Sequence, residues 1–297
     1  MCFAFFHSTW GPLPSQDELD DHLGTRNPGH RGSSAGHWSD WGSRWNRSEN
    51  RKHRDLSLAD FCQRYETVEL LFDVGPEDQL KLIWLLDYFR AYPEAVARLK
   101  LRLVDLNMSR IGPGGISDWR PPIVDVTERE LATARAAWQA YRSPTPEACV
   151  NLLQTDLSAL PLLKPVLLDL LAELPSASTG LGASEMRMLE MIGRGYSRTN
   201  DLFYRSDVRQ TRVFNEFEYG YLLDGLAFGP VPAVLGLDEH DLVSHAPQRL
   251  LDCRLTGIDD AAGDQPPADH ADAQCQRNLP RSPRFRSSQD ARLWRRL

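Results

Sequence analysis

The chain has 297 residues, 41% of them hydrophobic, and a formal net charge of −7 at pH 7. That length suggests two domains, or one domain with extra material at its ends. The acidic balance argues against a general nucleic-acid or anionic-membrane binder, because both partners repel acidic surfaces.

Cys2, Cys62, Cys149, Cys253 and Cys275 are widely spaced and include no CxxC pair. Neither a zinc site nor a disulfide framework is indicated. Reduced thiols in a cytoplasmic protein are the expectation, with Cys62 or Cys149 buried. The Cys2–Phe6 run is too short for a signal peptide and has no basic residue before it. No apolar run approaches the roughly 18 residues that a membrane span needs.

Residues 1–23 open with the apolar run Phe3–Phe6 and a turn signal at Trp10-Gly11-Pro12, which reads as a strand followed by a loop. From Gly24 to Asp55 there is no Val, Ile, Leu, Met or Phe. Such a stretch buries too little area to offset an ordering cost of about 1–2 kcal/mol per residue, so disorder is expected. Trp38, Trp41 and Trp45 have the spacing of a helical stripe, but Gly36 and Gly42 oppose it. Leu56–Tyr65 places Leu58, Phe61, Cys62 and Tyr65 at helical spacing, with Ser57 as the N-cap.

The central unit runs from Thr67 to Leu106. A short apolar run (Val68, Leu70, Leu71, Phe72) stops at Asp73-Val74-Gly75-Pro76, and a long amphipathic run follows from Glu77 to Arg90. A second apolar run occupies Leu99–Leu106. Strand, helix, strand with a parallel pair is the natural interpretation. The helix is apolar almost all round, which suits packing between a sheet and a second layer. Its end is set by Pro93.

Beyond a Gly/Pro loop at Ile111–Pro122, Thr127 and Glu130 form a capping-box signature for a helix through Tyr141. Thr145-Pro146 starts another helix, with Pro146 at its first helical position. Ala159–Leu174 is a third, lined by Leu160, Leu163, Leu167, Leu170 and Leu171, with a kink expected at Pro165. Pro175–Gly182 resembles a linker. Three short helices follow: Ser184–Ile192 capped by Ser184, Thr199–Tyr204 capped by Thr199, and Arg212–Leu226. With the extended Val231, Val234 and Leu235 they suggest a helix-turn-helix or winged-helix shape. After Asp259 aliphatic residues are scarce, and Gln276–Leu297 carries seven Arg against one Asp, so a disordered basic tail is expected.

Several of these stretches carry a resemblance. Val68–Phe89 and Leu131–Leu174, continuing through Glu185–Leu223, resemble a family of two-domain bacterial proteins. These are catalogued as domain of unknown function 1835, with domain of unknown function 3658 at the C-terminal side. The carriers are Asp78-Gln79-Leu80 leading into a Leu-rich helix, Trp138 with Tyr141-Arg142, and Thr155-Asp156-Leu157-Ser158-Ala159-Leu160-Pro161. The resemblance implies an α/β N-terminal domain, a helical C-terminal domain and no established activity. Relatives open with a strand and a Gly-Asp-Ser-type turn that this chain lacks. They also carry His-Asp before the central helix, where Val74-Gly75 stands here, so a weakened site is expected. Residues 24–55 and 259–297 lack the family's pattern and read either as a divergent insertion or as out-of-frame sequence.

In an open α/β sheet, ligands bind beyond the carboxyl ends of the strands. Asp73 ends the first strand and Asp105 lies near the end of the second. Asp78 and Gln79 fall in the first turn of the helix between them. These four are the candidate ligand-binding residues. Two facing carboxylates would raise each other's pKa, and the helix N-terminus offers backbone N–H groups to an anion, which Glu77 and Asp78 oppose. The same acids also suit the helix macrodipole for purely structural reasons.

Ile111-Gly112-Pro113-Gly114-Gly115 matches neither GxGxxG nor a Walker loop. Asp238-Glu239-His240-Asp241 with His245 lacks HExxH spacing and a third ligand, so no metal is expected. His30, His37 and His53 give no better metal set. No GxSxG elbow exists. Arg205, Arg209 and Arg212 are balanced by Asp201, Asp207, Glu216, Glu218 and Asp224, which weakens a DNA-reading face.

The expected architecture is a Rossmann-like, incomplete βαβ core plus an α-helical, winged-helix-like C-terminal domain. The leading functional expectation is a cytoplasmic, non-catalytic module that binds a protein partner or a small ligand, without nucleic acid, membrane or cofactor. The alternatives are an enzyme acting on a nucleotide-like or phosphorylated small molecule at the strand ends, and a winged-helix transcriptional regulator.

Overall fold

The computed structural model describes Thr9, Leu13 and residues 15–25, 37–38, 56–104, 119–196, 198–205, 213–236 and 254–255. They fall into two units, Met1–Ser184 with Ser206–Asn215, and Glu185–Arg205 with Glu216–Leu297.

The first unit contains, in order, α1 (Gln16–Leu23), α2 (Leu58–Cys62), β1 (Val68–Leu70), α3 (Pro76–Phe89), α4 (Pro93–Val96) and β2 (Leu99–Arg102). It continues with β3 (Ile123–Asp125), α5 (Glu128–Tyr141), α6 (Glu147–Leu152) and α7 (Leu163–Ala172). A further helix, α8 (Ala183–Gly193), starts at the border between the units.

The strands form one mixed sheet in the order β1-β2-β3, an α/β arrangement. β1 and β2 are parallel and joined through α3, as the apolar runs and the Gly75-Pro76 break require. Glu69, Lys100 and Asp125 share one cross-strand row, and Leu70, Leu101 and Val124 share the next. Because side chains alternate along a strand, Leu70, Leu99 and Leu101 are buried. The other face carries ion pairs instead: Arg102 Nη2 lies 2.6 Å from Glu69 Oε2, and Lys100 pairs with Asp125.

Leu80, Leu82, Ile83, Trp84, Leu85, Leu86 and Phe89 are all buried, and so are Gln79 and Lys81. Eight consecutive buried residues, Gln79–Leu86, place the middle of the helix inside a layered core rather than on its surface, and α3 packs against α4, α5 and α7. The predicted capping box of α5 is present: Thr127 Oγ1 accepts from Arg129 N, while Glu130 reaches back to the Thr127 N–H at 2.8 Å.

The second unit holds most of α8, then α9 (Thr199–Tyr204), α10 (Glu216–Phe228), β4 (Val234–Leu235) and β5 (Arg254–Leu255). β4 and β5 are antiparallel, with Val234 opposite Leu255. Leu202, Tyr219 and Leu223 are fully buried, and Phe203 meets Tyr219 edge-on at 6.1 Å. The Ala233 N–H donates to the Leu226 carbonyl at 2.8 Å, turning the chain back after α10.

Several local expectations are corrected. Residues 16–23 are a helix, not a loop, opened by a Ser15–Glu18 capping box. α1 is tied down by the Tyr88 hydroxyl, which donates to the Leu23 carbonyl at 3.3 Å. In the aliphatic-poor stretch, of which residues 26–36 and 39–55 lie outside the described residues, His37 and Trp38 are buried. The Trp38 indole N–H donates to the Leu56 carbonyl at 2.9 Å, and its ring lies 5.0 Å from that of Phe61. One indole buries as much area as a large aliphatic side chain and also satisfies a backbone acceptor.

β3 was unforeseen. Its three residues fall between Pro121-Pro122 and the Thr127 cap, so its period is short. Pro165 lies in the first turn of α7, where a missing N–H costs nothing, so it is not at a mid-helix kink position. Pro146 is an N-cap rather than the first helical residue. Arg198, not Thr199, stands at the N-cap of α9 and makes no side-chain cap bond.

Ser184 does not cap α8 but lies within it. Its N–H and hydroxyl donate to the two carboxylate oxygens of buried Glu173, at 2.9 and 2.6 Å. The linker-like Pro175–Gly182 is a closed turn. Gly180 N–H donates to the Ser176 carbonyl at 2.8 Å, and Ser176 N–H to the Leu181 carbonyl at 3.1 Å.

Candidate functional site

The site is built where β1 ends and α3 begins. Gly75 is the N-cap of α3 in an extended conformation and contributes no side-chain cap, and Pro76 follows at the first helical position. Among the described residues, a Cβ at Gly75 would meet nothing within 4 Å. Three of the four predicted residues gather there.

Asp73 Oδ1 accepts from the Val74 N–H at 2.7 Å, which folds the carboxylate onto its own loop. Gln79, buried at 4% exposure, donates from Nε2 to the Asp73 carbonyl at 2.7 Å. Its side chain thereby locks the first turn of the helix to the strand end. Asp105, the fourth predicted residue, lies outside the described residues, as does the Asp73–Asp105 pairing expected across the crevice.

Asp78 and Glu77 meet a residue that sequence reasoning passed over. Lys81 Nζ lies 2.7 Å from Glu77 Oε1 and 3.8 Å from Asp78 Oδ1, and Lys81 is buried. Its signal was the Glu77–Lys81 spacing of four, which brings two side chains together on a helix. Burial holds the Asp78 carboxyl above the ordinary carboxylate range, helped by the charges of Glu77 and Asp73 and opposed by Lys81 and a backbone N–H of Asp73.

Among the described residues, three carboxylates and one ammonium meet at this edge. Carboxylates in the first turn oppose an anion at the helix N-terminus, where the backbone N–H groups would otherwise favour one. Gln79 and the Asp73 carboxylate are already bonded to backbone, and Glu77 and Asp78 to Lys81. Among the described residues no group of three or more His, Cys, Asp or Glu is arranged to hold a metal ion.

The remaining candidates divide simply. The Gly112–Gly115 loop, the Asp238–His245 segment, His30, His53, Asp207, Arg209 and Arg212 lie outside the described residues. His37 is a structural histidine whose Nε2 donates to the Gly24 carbonyl at 2.9 Å. Burial pushes the Cys62 thiol up to about 12 and raises that of Cys149. Both are therefore poor nucleophiles. Arg205 lies over the Tyr196 ring at 4.5 Å. Among the described residues, no helix is long and apolar enough to cross a membrane.

No family model matches the chain, and neither the curated proteins nor the solved structures yield a significant match.

Proposed function

We propose that the protein is a non-catalytic, cytoplasmic binding module. In this proposal the acidic edge between β1 and α3 takes a cationic or donor-rich group of a small ligand or protein partner. One observation carries it: the polar side chains at the strand end are bonded locally. Gln79 is spent on the Asp73 carbonyl, Asp73 on the Val74 N–H, and Lys81 on Glu77 and Asp78. Such a constellation is rigid and acidic but leaves little for proton transfer, which needs a group poised against a reacting atom.

The wider proposal is a Rossmann-like, incomplete core with a winged-helix-like C-terminal unit, in the bacterial family named by the resemblance. The parallel β1-α3-β2 unit and the antiparallel β4–β5 pair after α10 support it. An enzyme acting on a phosphorylated small molecule is the second reading, favoured by the raised pKa of Asp78. It is opposed by the acid excess around that residue.

Thermal-shift screening separates the two, because a ligand that binds the folded state raises its apparent stability. Polyamine-like and amino-group-bearing metabolites are expected to raise the midpoint of the wild type, and less so that of Asp73→Asn. Stabilisation by phosphorylated compounds alone, or their turnover, would overturn the binding-module reading.

A further inference from the structure

A second recognition surface lies under α1, which rests on α3 and on the C-terminal end of α5. Leu19, His22 and Leu23 share one helix face and are buried. The His22 ring lies 6.0 Å from that of Trp84 on α3. Three side chains grip backbone carbonyls of this segment: Tyr88 holds Leu23 at 3.3 Å, His37 holds Gly24 at 2.9 Å and Tyr141 holds Thr9 at 2.8 Å. A fourth tie runs from Arg142 Nη1 to Gln16 Oε1 at 3.3 Å. Trp84 and Tyr88 lie in the C-terminal half of α3, so this surface does not depend on the edge where β1 ends.

α1 does not hold itself together. It has eight residues, four of them acids, whereas isolated helices shorter than about 12–15 residues are marginal in water. Asp17 stands three and four positions before Asp20 and Asp21, which sets like charges side by side. Asp20 and Asp21 also lie toward the helix C-terminus, where negative charge opposes the macrodipole. The Ser15–Glu18 capping box closes only the first turn. The helix therefore depends on its seat, and leaving the seat and unfolding are one event. An element of that kind opens locally, at a lower free energy than the core beneath it.

We propose that α1 is a displaceable strap, and that its seat on α3 and α5 docks an amphipathic helix of the same chemistry from a protein partner. The seat states what that helix must carry. Tyr88 and His37 take carbonyls at a helix end, which lack intrahelical partners in any helix, so they read an end rather than a side chain. Buried Leu19 and Leu23 require two leucines four positions apart, and Trp84 requires a ring one position before the second. Glycine follows, because a Cβ on Gly24 would stand 2.5 Å from the Asp20 carbonyl oxygen. The partner helix thus ends in Leu-x-x-His-Leu-Gly and lays its apolar face into the groove that α1 fills.

Hydrogen exchange of the full wild-type chain tests the strap. Amides of Leu19 to Gly24 are expected to exchange many-fold faster than those of Ile83 to Phe89, through an opening that low urea leaves unchanged because it exposes little surface. Exchange of both sets together, only as the whole unit unfolds, would overturn the proposal. Docking is read with a fluorescent peptide of residues 15–25 added to the full chain. It should bind the Leu19→Ser/Leu23→Ser chain several-fold more tightly than the wild type, in which the chain's own α1 competes. A peptide bearing the same two serines should not bind. Circular dichroism checks the variant's fold, and Leu19→Ala alone takes its place if the double change unfolds the chain. Equal binding to variant and wild type, binding of the serine peptide, or no binding at all would each overturn the docking surface.

Discussion

Replacing Leu86 by Ala tests the layered core directly. Leu86 is 0% exposed and ends the run Gln79–Leu86, every residue of which is buried. The substitution removes three carbons, worth about 0.8 kcal/mol each in transfer, or roughly 2.4 kcal/mol. The cavity left behind adds to this, placing the expected loss at about 2–5 kcal/mol. Leu71, 46% exposed just beyond β1, is the matched control; its truncation should cost no more than about 0.5 kcal/mol, as at ordinary surface sites.

Cys62 supplies a local reporter of the same unit. Its buried thiol, pushed up to about 12, reacts with an alkylating agent only when the unit opens. Alkylation of the Cys62 peptide across a urea series therefore gives a midpoint for each variant by mass spectrometry. A loss below about 1 kcal/mol for Leu86→Ala, under the range for buried leucines, would refute the argument. It would mean that α3 lies on a surface and that the β1-α3-β2 unit is not the core.

Other substitutions probe separate links. Trp38→Ala should cost about 3–5 kcal/mol by the same assay, because the ring is 2% exposed and its N–H holds the Leu56 carbonyl; a neutral result would leave that stretch without a structural anchor. Gly182→Ala places a Cβ 2.5 Å from the Glu173 carbonyl oxygen and should cost about 1–3 kcal/mol by overpacking, with lost amide protection at the start of α8; unchanged exchange there would contradict the closed turn.

For Asp78 the folded-state pKa is raised by burial. Its stabilising contribution is thus complete below the unfolded pKa and is lost as pH rises through the folded one. Asp78→Asn should match or slightly exceed the wild type near pH 7, by under about 1 kcal/mol at this partly exposed position. The difference should shrink in acid. A variant clearly less stable near pH 7 would mean that the Lys81 pairing outweighs desolvation.

The β1-α3-β2 unit was legible because each of its signals is local. Short apolar runs at Val68–Phe72 and Leu99–Leu106, a Gly75-Pro76 break and a helix whose apolar face is almost continuous constrain one another within a few residues. The Thr127–Glu130 box was legible for the same reason. An identical Ser15–Glu18 signature also stood in the sequence, and the turn signals around it obscured it.

What tertiary structure decided is every pairing between distant positions. Trp38 is an anchor only because Leu56 and Phe61 come to it. β3 is a strand only because Leu101 lies beside Val124. Glu173, at the end of one helix, takes over the cap that Ser184 was expected to give the next. At the candidate site the sequence named Asp73, Asp78 and Gln79, but Lys81 and the direction of the Gln79 amide emerged only from packing. A side chain's local propensity depends on its neighbours in sequence, whereas its hydrogen-bond partner and its dielectric depend on what the folded chain brings within a few ångströms of it.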